Sequence, residues 1–421
     1  MLRNVGWGLA GMGLPLVVGV MAIPFLLQNL GVELMGILTL VWALVGYFSL
    51  FDFGLGRALT QQISVSLANK NLKDVPGLAK NGLSFTLATG IAGGLLLAVL
   101  ADPLSSKWLG ISQALQQDVA WSLLIASLGI PLTTATTGLR GILEAYGEFR
   151  IVNLLRMILG LTSFGLPVLC IFLVGPSLSW IITSLIGARF VVLVAHLVFV
   201  NRQLPPSWHA MPVSEFQLRR LSSFGAWLTV SNVVSPLMVN ADRFVISMVL
   251  GAEMVAYYTL PSEMLMRLLI LPSALTAVLF PQLAAMFDTD RTKAVNLYRK
   301  CLGLTALVMT PVCLVTALLS HWGLTLWLGA DFADHSWRIV VCLAAGVWVN
   351  SLAFVPFAAI QAAGQAKVTA KIHLAELLLY VPLLFWSLST FGLIGAALIG
   401  VARVSVDMIA MFWAASRLGY R

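Results

Sequence analysis

Charge is what this chain has least of. Only 10% of its 421 residues are Asp, Glu, Lys or Arg, where soluble domains carry about 25%. A water-facing globule of ordinary composition is thereby excluded. Cysteine is also scarce: Cys170, Cys301, Cys313 and Cys342 lie in apolar stretches and form no CxxC pair, so neither a disulfide framework nor a thiolate metal site is supported. They read as small hydrophobes suited to packing in lipid. The GxSxG elbow, the HExxH helix and the P-loop are all missing, which removes the usual signatures of acyl transfer, zinc hydrolysis and ATP-driven pumping. The apolar stretch after Arg3 runs to about Leu30 without a small-residue cleavage site, so the first helix is expected to act as its own insertion signal.

What is present is apolar. Hydrophobic residues make up 59% of the chain and the mean hydropathy is +0.94. Crossing the roughly 30 Å hydrocarbon layer takes about 20 apolar residues, so the length accommodates about twelve crossings with short connections. The expected fold class is an all-α polytopic membrane protein of about 12 transmembrane helices in two six-helix bundles. Spans are expected near 5–30, 34–67, 80–101, 118–140, 150–175 and 178–200, then near 221–250, 254–285, 296–320, 338–362, 368–390 and 393–416. The corresponding organisation is an N-terminal lobe over 1–200, a cytoplasmic linker over 201–220 containing Pro205, Pro206 and Pro212, and a C-terminal lobe over 221–421.

Placing both termini in the cytoplasm puts seventeen Lys and Arg residues in inner loops and ends, among them Lys70, Lys73, Arg150, Arg202, Arg291 and Lys367. Outer loops hold only Lys107 and Arg338. That imbalance sets the orientation, because loops rich in Lys and Arg stay cytoplasmic. It also accounts for the net charge of +8 through contact with anionic membrane lipids rather than nucleic acid.

Three matched stretches recur in order at a nearly constant offset. Leu30-Gly31-Val32-Glu33 through Leu40 matches Leu250-Gly251-Ala252-Glu253 through Leu260, 220 residues on. Leu143 through Arg150 matches Ile360 through Lys367, and Leu185 through Arg189 matches Leu398 through Arg403. The halves therefore read as a duplication. An even number of helices in each half makes it a parallel repeat about a pseudo-two-fold axis normal to the membrane, an arrangement that places a substrate path between halves and uses rocking for alternating access.

Eleven charged residues fall inside expected spans: Arg57, Arg156, Arg189, Arg243, Arg267 and Arg403, with Asp52, Asp242, Glu263, Glu376 and Asp407. A charge at mid-helix costs about 2.5–3.5 kcal/mol on insertion scales, so such residues face a bundle interior or a wet cavity. Glu263 and Arg267, like Arg403 and Asp407, stand at i and i+4, where they can neutralise each other. Asp242 and Arg243 are adjacent and need partners elsewhere. Arg156 and Arg189 have no acid within a helical turn. Excess arginine in a cavity suits an anion, and phosphate or pyrophosphate is the natural candidate because arginine meets it through two parallel hydrogen bonds. Arg189 and Arg403 are also repeat equivalents. The six arginines are therefore candidate substrate-binding residues and the five acids generic candidates for ion coupling. His196 and His373 are expected to serve packing. Pro261, Pro272 and Pro281 in the eighth helix mark it as the most bent.

Leu30-Gly31-Val32-Glu33-Leu34-Met35-Gly36, Phe51-Asp52-Phe53-Gly54-Leu55-Gly56-Arg57-Ala58, Asp242-Arg243-Phe244 and Ile360 through Lys367 resemble O-antigen flippases of the Wzx type. These belong to the multidrug, oligosaccharidyl-lipid and polysaccharide exporter superfamily. The resemblance spans the whole chain and implies a flippase rather than an enzyme. It would move undecaprenyl-pyrophosphate-linked oligosaccharide across the bacterial inner membrane through a cationic cavity, working with a polysaccharide polymerase and a chain-length regulator in lipopolysaccharide assembly. No cofactor or metal is implied; a coupling ion would be H+ or Na+. A drug exporter of the same superfamily is the alternative, with a cavity favouring acids. A membrane-embedded polymerase or ligase is the second alternative and would need a large outer loop, whereas those expected around 102–117 and 321–337 are short.

Overall fold

The computed structural model describes residues 2–48, 55–212, 240–286 and 290–420. Every regular element among them is helical. The expected site residue Asp52 and the linker beyond residue 212 lie outside the described residues, as do the side chain of Arg57 and the first part of the 221–250 span.

In chain order the helices are α1 Leu2–Phe48, α2 Leu55–Ala68, α3 Val75–Pro103, α4 Gln116–Ser127, α5 Gly129–Ala145, α6 Phe149–Leu173 and α7 Leu178–Gln203. They continue as α8 over 240–250, α9 Ala252–Met266, α10 Ile270–Met286, α11 Arg291–Leu318, α12 Ser320–Leu328, α13 Ala330–Ala362, α14 Ala366–Phe391 and α15 Leu393–Arg417. Among the described residues, nine stretches are long and apolar enough to cross a membrane.

Local chemistry explains the interruptions. Gly31 breaks α1 with φ 77° and ψ 169°, a conformation only glycine enters freely. α4 and α5 meet at Leu128, ahead of Pro131, which has no N–H for the turn before it. The eighth expected span divides in the same way. A 3₁₀ turn over Arg267–Leu269 separates α9 from α10, and Pro272 leaves the Leu268 carbonyl without its i+4 donor. One expectation fails: 321–337, read as an outer loop, is α12 and the start of α13. Its segment Gly323-Leu324-Thr325-Leu326-Trp327-Leu328 is apolar enough to pack as a short helix, too brief to have registered as a span.

The chain forms two compact units, Met1–Leu237 and Met238–Arg421. Their described parts repeat one another in backbone detail. Positive-φ glycines occur in pairs at the duplication offset: Gly31 with Gly251, Gly110 with Gly329, Gly147 with Gly364, and Gly175 with Gly392. The buried clusters repeat as well. Leu59, Ile63, Leu143 and Val200 in the first unit stand at the positions of Leu279, Leu283, Ile360 and Ala414 in the second. Each cluster is closed by an aromatic residue, Trp208 just after α7 in one and Tyr420 just after α15 in the other.

Small residues bring helices close. A side chain at Gly90 would overlap Thr134 and Pro131, and one at Gly141 would meet the Gly56 carbonyl at 2.4 Å. Such contacts draw α3 and α2 onto α5 by dispersion, the main source of helix association where lipid is as apolar as the helix surface.

Candidate functional site

The first unit holds two cations inside its helical layer. Arg189 on α7 is half-buried, and its Nη1 donates to Thr133 Oγ1 on α5 at 3.1 Å. Thr133 in turn donates to the Gly129 carbonyl at 2.7 Å, which fixes the hydroxyl's lone pairs toward the guanidinium. Gly129 lets α7 approach closely, since a β-carbon there would stand 2.5 Å from Ile186 Cδ1. Arg156 on α6 is half-buried and feels the charges of Arg140 and Glu144. Glu144 is already paired with Arg140 at 3.3 Å. Among the described residues, no carboxylate lies within ion-pair distance of Arg156 or Arg189.

In the second unit Arg243 and Arg403 have carboxylate partners, whereas Arg267 has none among the described residues. Arg243 on α8 donates through Nη1 to Glu263 Oε1 on α9 at 2.9 Å. The i, i+4 pairing of Glu263 with Arg267 does not form: Arg267 sits where α9 gives way to the 3₁₀ turn, and its Nε is buried without a hydrogen-bond partner. Asp242 is buried, accepts the Arg243 amide at 2.8 Å, and accepts a hydrogen bond from the Tyr258 hydroxyl.

The i, i+4 pairing of Arg403 with Asp407 is likewise replaced by partners across the α14–α15 hairpin. Arg403 Nη1 lies 3.9 Å from Glu376 Oε2, and its guanidinium carbon lies 5.4 Å from the centre of the Tyr380 ring. Asp407 Oδ1 lies 3.5 Å from His373 Nε2. His373 stacks on Phe357 of α13 with ring centres 5.9 Å apart. The hairpin explains these meetings. It pivots at Gly392, with φ 61°, and is drawn tight where Ser387 donates to the Gly395 carbonyl at 2.9 Å. Tyr380 stands 12 residues before the pivot and Arg403 11 after it, while Glu376 stands 16 before and Asp407 15 after. Residues equally far from a pivot lie level on antiparallel helices, each rising about 1.5 Å per residue.

The repeat sharpens the contrast. The offset of 217 carries Arg156 onto His373, and the pairing of Arg189 with Arg403 is the third matched stretch. At those positions the first unit has two unmatched arginines. The second has one arginine, an imidazole and two added carboxylates.

Sequence reasoning missed Thr133, Tyr258 and Tyr380, neutral residues that carry no charge signal. It also assigned His373 to packing alone, whereas the ring both packs on Phe357 and faces Asp407. His196 does serve packing, with Nδ1 at 2.8 Å from the Val192 carbonyl. The four cysteines are free.

Residues 29–337 match the family model described as "Polysaccharide biosynthesis protein". The chain is 33% identical over 418 residues to the "Putative O-antigen transporter" of Shigella flexneri, covering 99% of this chain and 98% of that one. Among solved structures it is similar to a multidrug resistance MATE family transporter of the MOP superfamily in an inward-facing conformation. There the TM-score is 0.84 at 14% identity, with 98% of each chain covered. It is also similar to a MOP superfamily transporter from Pyrococcus furiosus whose binding pocket is described as having reverse polarity. That match has a TM-score of 0.66 and 15% identity, with 99% and 95% covered. At these identities the structural matches establish the fold.

Proposed function

Since the chain belongs to the polysaccharide biosynthesis family of Wzx-type flippases in the MOP superfamily, we propose that it carries an undecaprenyl-pyrophosphate-linked oligosaccharide across the bacterial inner membrane. The unmatched Arg156 and Arg189 of the first unit carry this reading. A guanidinium held inside a membrane helix without a carboxylate costs free energy unless an anion or water receives it. Arg189 uses a single N–H on Thr133, which leaves further in-plane N–H groups along the edge of its fork for the bidentate contact that phosphate oxygens make best. A pyrophosphate supplies the charge for two such arginines. The sugar rides in the aqueous path beside it while the polyprenyl tail stays in lipid.

The surrounding assignments follow from this passenger. A transporter, not an enzyme, delivers repeat units to a polymerase and its chain-length regulator at the outer leaflet, and both termini face the cytoplasm, where the basic loops meet anionic lipid. Arg57, Arg243, Arg267 and Arg403 rank behind Arg156 and Arg189 as headgroup ligands. Arg243 and Arg403 have carboxylate partners of their own, Arg267 sits where α9 gives way to the 3₁₀ turn, and the side chain of Arg57 lies outside the described residues.

The test is complementation of a strain lacking its surface-polysaccharide flippase. Wild-type chain restores the polymer, Arg189→Ala abolishes it at normal protein level, and Arg243→Ala paired with Glu263→Ala, which removes a matched pair, retains it. Full polymer from the Arg156→Ala, Arg189→Ala double variant would remove the headgroup role. Acquired drug resistance without polymer would favour the exporter reading.

A further inference from the structure

The second unit contains a cluster that binding of an anionic headgroup does not use. His373, Glu376 and Asp407 each present one ligand atom, and these atoms all lie within 4.8 Å of one another. Two acids near each other are common without a ligand, but here the oxygens are stranded. The Glu376 side chain is 6% exposed, and neither of its oxygens, nor Asp407 Oδ1, has a hydrogen-bond donor. Glu376 and Asp407 nonetheless stand close enough to be linked by one hydrogen bond. Two carboxylates have no hydrogen between them, so that link exists only when a proton is supplied. The Arg403 guanidinium, at 3.9 Å, is too far to hydrogen-bond either one.

We propose that His373, Glu376 and Asp407 form a binding site for a single proton, held between the two carboxyls and the imidazole. Charge balance supports one positive charge. The cluster carries two carboxylates against one guanidinium, so a proton brings the group to neutrality inside a low-dielectric layer where a residual charge is expensive. A divalent metal would overshoot and would face Arg403 across Glu376. Sodium is a hard ion that prefers oxygen ligands, and one of the three donors is an imidazole nitrogen, which takes a proton readily.

The groups facing the site from each packed element are consistent with this. From α14 come His373, Glu376 and the ring of Tyr380; from α15 come Arg403 and Asp407. Asp242 of α8 and Tyr258 of α9 also lie in the electrostatic field of Arg403. From α13 comes the Phe357 ring; the charged residues Asp331, Asp334, His335 and Arg338 stand near that helix's opposite end. A proton on the pair removes the counter-charge that Glu376 gives Arg403. The guanidinium, repeat equivalent of Arg189, is then left to find another anion. That last consequence rests on the proposed passenger, whereas the proton site does not.

The experiment is infrared pH titration of the purified full-length chain in nanodiscs without substrate, so its result is independent of any flipping activity. The wild type should show a protonated-carboxyl C=O band that disappears as pH rises. Glu376→Gln and Asp407→Asn should each remove it, and His373→Gln should move its midpoint by about one pH unit or more, the scale on which a neighbouring charge acts. Exchanging KCl for saturating NaCl should leave it unchanged, an arm that needs no variant. A band that survives in both carboxyl variants overturns the proposal. So does a wild-type band that Na+ abolishes, which would make the site a sodium site. Variants are read only as monodisperse protein; if neither carboxyl variant folds, absence of the band from wild type across the whole titration overturns the proposal equally.

Discussion

Arg243 reaches across from α8 to Glu263 on α9 at 2.9 Å, although Arg267 stands one helical turn from the same carboxylate. In a bundle interior, where water is scarce, the partner that wins is the one the packing holds in line. A hydrogen-bonded charge pair at that distance is stronger than a flexible neighbour on the same face. Glu263→Gln is expected to cost about 1–3 kcal/mol by leaving Arg243 short of its counter-charge, read as a lower melting temperature in detergent. Arg267→Ala should cost less than Glu263→Gln. The swap Arg243→Glu with Glu263→Arg should recover most of the loss.

Close helix approach makes the next prediction. Gly141→Leu would drive a side chain into the Gly56 carbonyl, 2.4 Å from where its β-carbon must stand. α2 and α5 must then separate, and the yield of monodisperse protein should fall steeply. Gly165→Leu, on a face with nothing within 4 Å, should express as wild type.

Trp208 follows α7 in the 3₁₀ turn Pro206–Ala210 and is 1% exposed among Ile63, Val75, Val200 and Leu204. Trp208→Ala should cost about 3–5 kcal/mol, as large-to-small changes in packed cores do. Trp180 is 55% exposed, and Trp180→Ala should lie within about 0.5 kcal/mol of wild type. Thermal unfolding of the two variants side by side decides the matter.

Arg189→Lys separates charge from geometry. Lysine keeps the cation but offers a point charge in place of the planar fork. Complementation should fall well below wild type while remaining above Arg189→Ala. Equal activity of Lys and Arg would mean that the fork is irrelevant and only the field matters.

Much of this organisation was legible in the sequence because it rests on period and offset. Apolar length gave the spans, and the recurrence of Leu-Gly-x-Glu announced a backbone feature that the structure shows as Gly31 and Gly251, both at positive φ. Pro272 announced the break between α9 and α10. Charge partners were less legible. Spacing along one helix favoured Arg403 with Asp407, but the hairpin about Gly392 supplied Glu376 to one and His373 to the other. Counting from that pivot puts Tyr380 level with Arg403 and Glu376 level with Asp407, and the ion-pair partners Glu376 and His373 stand about one turn further along α14 from those level positions. Thr133 offered no signal: a hydroxyl that receives an arginine looks like any other threonine in a membrane helix. The 321–337 segment misled because a nine-residue helix joined at Gly329, with φ 96°, to the charged first turns of α13 resembles a loop in hydropathy.

The central claim is an anionic, lipid-linked passenger received by the first unit's unmatched arginines. It is tested most directly by reconstituting the purified chain in liposomes and measuring transbilayer movement of two glycolipids that differ only in the linkage. One is a polyprenyl-pyrophosphate oligosaccharide and the other the same oligosaccharide on an uncharged polyprenyl ether. The account predicts movement of the pyrophosphate form alone, lost when Arg156 and Arg189 are both replaced by alanine. Equal movement of the two lipids, or undiminished movement in the double variant, would contradict it.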